Sequence, residues 1–286
     1  MNPQRAVQIY YERNTSLFLS HGKQGRTRTI HRAIWAPGVA DREAALNYSN
    51  ELVRQELAWL ARQAAGEVKA GLRVADLGCG VGGSLFYLAR QFPAGFWGVG
   101  LTISPRQARL AASFAQGQRL EGRCAFLEAD YLNLPLAHGL DAAFSIEAFA
   151  HAPDPQGYMH GVSRLLRSGG RLLLCDDFRL TPAGSFWIAA FQRGWHVPRL
   201  CSPAEVEELA LRNGMRLVSQ RDLTQYLRLS RLPPGLIRPL VAAWLRLHPR
   251  HPYWESLFGG IALQQCLKRG DIAYRFLVFE KLAHNG

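Results

Sequence analysis

Asp76 stands two residues ahead of a glycine cluster, in Arg73-Val-Ala-Asp-Leu-Gly-Cys-Gly-Val-Gly-Gly83. Glycines let a backbone approach a ligand closely, and an acid beside them favours a cationic or amino-bearing ligand over a phosphate. Gly78, Gly80 and Gly83 also satisfy the dinucleotide pattern Gly-x-Gly-x-x-Gly, which makes a pyridine-nucleotide or flavin dehydrogenase the first rival reading. That reading needs a carboxylate for the ribose about 20 residues further on. Here the next apolar run, Gly95-Phe-Trp-Gly-Val-Gly100, passes into Leu101-Thr-Ile-Ser-Pro105 and offers hydroxyls but no carboxylate. A second pair of reactive side chains, Glu147 and His151, lies four residues apart just after another apolar run. A carboxylate and an imidazole so placed suit proton transfer or stabilisation of positive charge.

The elements that position these groups follow from periodicity. The run before the glycines reads as a strand, and Ser84-Leu-Phe-Tyr-Leu-Ala-Arg90 has helical spacing, giving strand, tight turn and helix. Strands at 96–101, 124–127, 140–145 and 171–176 then alternate with helices at 105–118 and 156–166. Such βαβ units predict a parallel sheet with right-handed crossovers and a ligand at the carboxyl ends of the strands. A long helix begins after Asp41, its N-cap, and 66–71 closes it. After Asp177 the rhythm changes: an aromatic segment from Phe186 to Trp195, a serine-capped helix from Ser202, a strand from Arg216, an insert at 226–247, a helix over 259–270, and Tyr274–Glu280 as a last edge strand.

Val74-Ala-Asp-Leu-Gly-Cys-Gly-Val-Gly82 resembles the first motif of class I S-adenosylmethionine-dependent methyltransferases. Gly100-Leu-Thr-Ile-Ser-Pro-Arg-Gln107 resembles the second-strand exit of the sterol, tocopherol and cyclopropane fatty-acid branch, and Ile146-Glu-Ala-Phe-Ala-His-Ala-Pro-Asp154 is similar to the matching stretch of sterol C-methyltransferases. The resemblance covers residues 66–180 well and the flanks loosely. It implies a Rossmann-like α/β fold, a seven-stranded, mostly parallel sheet, with an N-terminal helical cap at 1–65, the cofactor-binding core at 66–180, and the remaining strands with an inserted helical substrate cap at 181–286. It further implies S-adenosylmethionine as cofactor, held by Asp76, Gly78, Gly80, Gly82, Thr102, Ser104 and Gln107, with Asp130 accepting from the adenine amine and Tyr131 covering the ring.

Glu147 and His151 are then the candidate catalytic residues. With an alkene acceptor, a buried Glu147 stabilises the carbocation that follows methyl addition and helps remove the later proton; with a hydroxyl or acidic carbon, His151 is the better base. Candidate acceptor contacts are Tyr10 and Tyr11, Arg26 and Arg28 in a basic glycine-containing loop with Lys23 and Arg32, His31 and Trp35, and the aromatics Phe149, Phe178, Trp187 and Phe191. His31-Arg-Ala-Ile-Trp35 resembles the His-x-Gly-x-Trp segment of tocopherol-like enzymes, with Ala33 in the glycine position. A small lipophilic, isoprenoid acceptor methylated at carbon is the leading expectation, and O-methylation of a phenolic or polyketide-like natural product is the alternative. If the isoprenoid carries a diphosphate, Lys23, Arg26, Arg28 and Arg32 are its natural partners.

The 286 residues suffice for a substantial core. Five scattered cysteines without ligand spacing point to free thiols and to no metal site. With neither a secretory signal nor a long apolar run, a cytoplasmic location is expected. The net charge of +12 favours an anionic partner. Nucleic acid is disfavoured because neither an added recognition module nor an Asn/Asp-Pro-Pro-aromatic motif is present. Peripheral membrane contact through residues 227–247, where Leu, Trp and Arg mix, and homo-oligomerisation stay open.

Overall fold

The computed structural model describes residues 5, 7–9, 11, 12, 15, 28–63, 71–182, 184–230, 233–247 and 251–283. Its strands are β1 (Leu72–Leu77), β2 (Phe96–Thr102), β3 (Cys124–Glu128), β4 (Leu140–Ile146), β5 (Leu166–Arg179), β6 (Met215–Asp222) and β7 (Ile272–Lys281). They form one sheet in the order β3-β2-β1-β4-β5-β7-β6. The first five are parallel, and β7 runs antiparallel to both β5 and β6. The order reverses between β1 and β4, which opens a crevice where their carboxyl ends diverge. Asp76 lies there, level with Gly100 on β2 and Phe144 on β4.

Tyr274–Glu280 is not an edge strand. β7 sits between β5 and β6, and β6 forms the edge. Burial explains the exchange: β7 is buried on both faces from Ile272 through Phe279 apart from Arg275, whereas β6 is largely polar and exposed after Met215.

The helices are α1 (Arg42–Gln63), α2 (Gly83–Gln91), α3 (Pro105–Gly117), α4 (Pro155–Leu165), α5 (Phe186–Gly194), α6 (Pro203–Arg212), α7 (Pro234–Leu247) and α8 (Pro252–Arg269). Side-chain caps start several of them. Asp41 accepts from the Ala44 N–H at 2.8 Å, and Ser202 with Glu205 makes a capping box. One core packs α1, α2, α5, α7 and α8 against one face of the sheet; the other packs α4 and α6 against the opposite face. Asp141 closes the start of β4 by accepting from the Arg73 N–H and from Arg167 Nε, both at 2.8 Å.

Candidate active site

The turn after β1 holds Gly78, Gly80 and Gly82 at φ of 96°, 54° and 88°, the left-handed region that favours glycine. The Gly78 and Cys79 N–H groups both donate to Leu101 O at 2.9 Å, tying the loop to β2. A Cβ at Gly78 would lie 2.3 Å from the Ala148 Cβ, so this glycine also lets β1 and β4 converge. Gly78, Gly80 and Gly83 line a cavity of about 1260 Å³ including its mouth; Gly82 packs against Phe126 and Phe86 behind it. Asp76 is 3% exposed and lines the same cavity. Burial pushes its carboxyl well above the usual range, and no cation among the described residues draws it back. A buried, uncompensated acid beside a glycine cradle fits a ligand with an ammonium group.

The exit of β2 is knitted to the N-terminal segment. Thr102 Oγ1 donates to Gln107 Oε1 at 2.9 Å, and Gln107 Nε2 donates to Thr15 Oγ1 at 3.1 Å. Ser104 caps α3 by accepting from the Gln107 N–H at 3.1 Å and donates to Glu12. Gln8 Nε2 adds a bond to Ile103 O at 2.8 Å. Thr102 and Gln107 belong to the cavity wall, with Ser104 one layer behind. After β3, Asp130 accepts from the Leu132 N–H at 2.9 Å and sits outside the wall, while Tyr131 lies within it, edge-on to Tyr158 at 5.3 Å.

Glu147 leaves β4 with φ of 55°, a strained conformation for a non-glycine residue. Its Oε1 accepts from the Arg32 N–H at 2.9 Å, from Arg32 Nε at 3.0 Å and from Tyr274 OH at 2.9 Å. The far side of the Arg32 guanidinium grips Asp177 through two bonds, at 3.0 and 2.9 Å, and the group lies 4.0 Å over the Tyr274 ring. Burial pushes the Glu147 carboxyl up, but Arg32 and His31 outweigh it and leave the group below its ordinary value. It is therefore a fixed, ionised carboxylate. Arg32, expected to reach a phosphate, is instead committed to two acids.

His151 lies opposite, its Nε2 3.0 Å from Tyr11 OH. Burial lowers its pKa to about 4, so the ring is neutral. His31 is also buried in the wall, and burial lowers its pKa against the opposing pull of Glu147. Asp176 accepts from the Ala150 N–H at 3.1 Å and the Asp177 N–H at 2.8 Å, and burial followed by Asp177 pushes it up to about 7.

Tyr11, Arg28, His31 and Phe191 of the expected acceptor contacts line the cavity. Trp35, Phe149, Phe178 and Trp187 do not. Trp35 stacks under Arg228 at 3.3 Å and donates from its backbone to Tyr226 O at 2.8 Å. Phe149 and Phe178 are core residues on the α4 side of the sheet, and Trp187 packs edge-on to Phe186 at 4.9 Å. Tyr10, Lys23 and Arg26 lie outside the described residues. Trp195, at the end of the aromatic segment expected to supply acceptor contacts, also lines the cavity, whereas sequence reasoning missed Asp176, Asp177, Arg32 as a clamp and Tyr274. Two adjacent acids closing the apolar run Leu172-Leu-Leu-Cys175 were a usable signal for the first two.

A topological switch point carrying a glycine turn and a buried acid beside an open cavity defines a class. Residues 68–187 match the family model described as a methyltransferase domain, a family that uses S-adenosylmethionine. Within that class the chain is similar to tocopherol O-methyltransferase of Arabidopsis thaliana, 31% identical over 168 residues, which are 58% of this chain and 41% of that one. It is also similar to 24-methylenesterol C-methyltransferase 2 of Oryza sativa subsp. japonica, 29% identical over 259 residues, 87% of this chain and 63% of that one. The chain thus spans less than two thirds of the length of either relative. A geranyl diphosphate methyltransferase solved with GPP and sinefungin shares the fold, with a TM-score of 0.75 at 19% identity over 98% of this chain and 99% of that one.

Proposed function

We propose that this protein methylates a small lipophilic acceptor, isoprenoid in character, at carbon. The observation that carries this reading is the Glu147 clamp: an ionised carboxylate, held rigid from one side by Arg32 and Tyr274, on the wall of a mostly apolar chamber. S-adenosylmethionine, when bound, supplies an electrophilic methyl group. Asp76 and the turn at Gly78 and Gly80 would hold its amino acid end, Thr102 and Gln107 would line the ribose side, and Tyr131 would cover the adenine. Asp130 shapes the turn after β3, and Ser104 braces the exit of β2. The chain's remaining work is to orient the acceptor and exclude water. Glu147 faces positive charge developing on an alkene carbon and takes up the proton that leaves.

Asp76, Glu147, Asp176 and Asp177 make the described wall acidic, and Arg28, half-buried over the Phe114 ring, adds a cation to it. A neutral acceptor body suits such a wall, and any phosphate belongs at the Arg28 side of the mouth. The division into a cap at 1–65, a core at 66–180 and a strand-completing cap at 181–286 is part of the same proposal.

O-methylation is the second reading, favoured by a neutral His151 bonded to Tyr11. Radiolabelled methyl transfer to prenyl diphosphates, sterols and phenols separates the two. Carbon methylation lost in Glu147→Gln and kept in His151→Gln supports the first. Transfer to phenols alone, lost in His151→Gln and kept in Glu147→Gln, replaces it with the second.

A further inference from the structure

Helix α7 carries an apolar stripe that the fold leaves uncovered. Ile237, Val241 and Trp244 face inward and are buried, whereas Leu236, Leu240 and Leu247, 73%, 60% and 80% exposed, follow one another with exposed Ala243 along the outer side. Their spacing of four, three and four residues keeps them on one helical face. Trp244, expected from sequence at such a surface, is instead core. α8 continues the patch with exposed Tyr253, Trp254 and Leu257. A ladder of rings joins inside to outside: Trp244 to Phe258 at 5.4 Å, Phe258 to Trp254 at 5.9 Å, Trp254 to Tyr253 at 5.1 Å.

Single exposed leucines are ordinary, but a stripe of them flanked by exposed Trp and Tyr is the composition of a membrane–water interface. The charges on α7 have one sign, and Glu255 at the start of α8 is half-buried beside His196. α7 contains exposed Arg238, which also overlies Phe186, and exposed Arg246, and it contains no acid. The chain as a whole carries +12. No helix of the described residues is long and apolar enough to cross a membrane. A second copy docked here about a two-fold axis would bring the same arginines face to face, which disfavours self-association. The patch is also only one layer from the cavity: α8 accepts from Trp195 Nε1 at Ser256 O, 3.1 Å away, and Trp195 lines the wall.

We propose that the outer face of α7 and the start of α8 seat the protein peripherally on an anionic membrane surface, leucines and Trp254 entering the acyl boundary and the arginines lying among phosphates. This stands independently of the acceptor's identity. The test is flotation of the full chain with phosphatidylcholine vesicles with and without phosphatidylglycerol. The expected result is flotation with phosphatidylglycerol that weakens in high salt and falls by more than about tenfold in the pair Leu236→Asp and Leu240→Asp. Both positions are exposed, so the variant's thermal melt should match the parent's. Absence of flotation with the phosphatidylglycerol vesicles overturns the proposal, as does flotation that the pair leaves unchanged. A concentration-dependent dimer abolished by the same pair, without flotation, overturns it in favour of self-association.

Discussion

Arg32 meets Glu147 twice at a single oxygen: its backbone N–H and its Nε both donate to Oε1, at 2.9 and 3.0 Å. The remaining guanidinium edge is closed on Asp177. One cation thus joins the exits of β4 and β5 and sets where the Glu147 carboxylate stands.

Removing that cation strands two buried acids. Arg32→Ala should cost about 3–5 kcal/mol in urea unfolding. Arg32→Lys keeps the charge without the fork and should lose catalysis more than stability. The Glu147 pKa is depressed in the folded chain, so its contribution is present above the ordinary carboxylate range and is lost as pH falls through the lower folded value. Unfolding curves of parent and Glu147→Gln should therefore converge in acid.

Asp176 carries the opposite sign. Its folded pKa of about 7 lies above the usual 3.8, so its protonated form stabilises the fold at low pH and that contribution disappears as pH rises through 7. The difference in melting temperature between parent and Asp176→Asn should shift against the parent between about pH 4 and pH 7.

Asp76 supplies a binding signature distinct from turnover. Burial raises its pKa, and an incoming ammonium group lowers it, so ligand binding should release a proton. Calorimetry of S-adenosylmethionine in buffers of different ionisation enthalpy should show that release and an affinity that rises with pH. Asp76→Asn should abolish both; unchanged proton release in the variant would place the ammonium elsewhere.

His151 should stay neutral across the physiological range. An NMR titration of its imidazole is expected to show a midpoint near 4, because burial opposes the charged ring. A midpoint near the ordinary 6.5 would mean that the ring is hydrated.

The packing of α5 on α8 depends on a contact between glycines. A Cβ at Gly194 would fall 2.5 Å from Gly259 Cα and 2.7 Å from Glu255 O, so α5 and α8 touch backbone to backbone. Gly194→Ala should destabilise by about 1–3 kcal/mol, read as a lower thermal midpoint. The core beyond the cap should retain its far-ultraviolet dichroism.

The sheet from β1 to β5 was legible because the strands are apolar runs and each, β3 apart, is followed by a helix of its own, and the glycine turn and the Glu147–His151 spacing are local patterns. The place of β7 was not. Pairing with β5 and β6 depends on partners far off in sequence, and one strand's burial on both faces does not say which neighbours cover it. The aromatics failed for a related reason: Phe149 and Phe178 share a segment with cavity residues but turn to the other face of the sheet. Arg32 was assigned from charge alone, and charge does not reveal that two acids wait for it.

The insertion of β7 also gives the chain an order of assembly. Until residues 272–281 have been made, the fourteen-residue β5 has an unpaired edge, and β6 has no strand to join. The same late strand brings Tyr274 to Glu147. A nascent or truncated chain would therefore be both prone to aggregate and chemically unfinished, and the closing of the sheet and the completion of its acid clamp are one event in biogenesis.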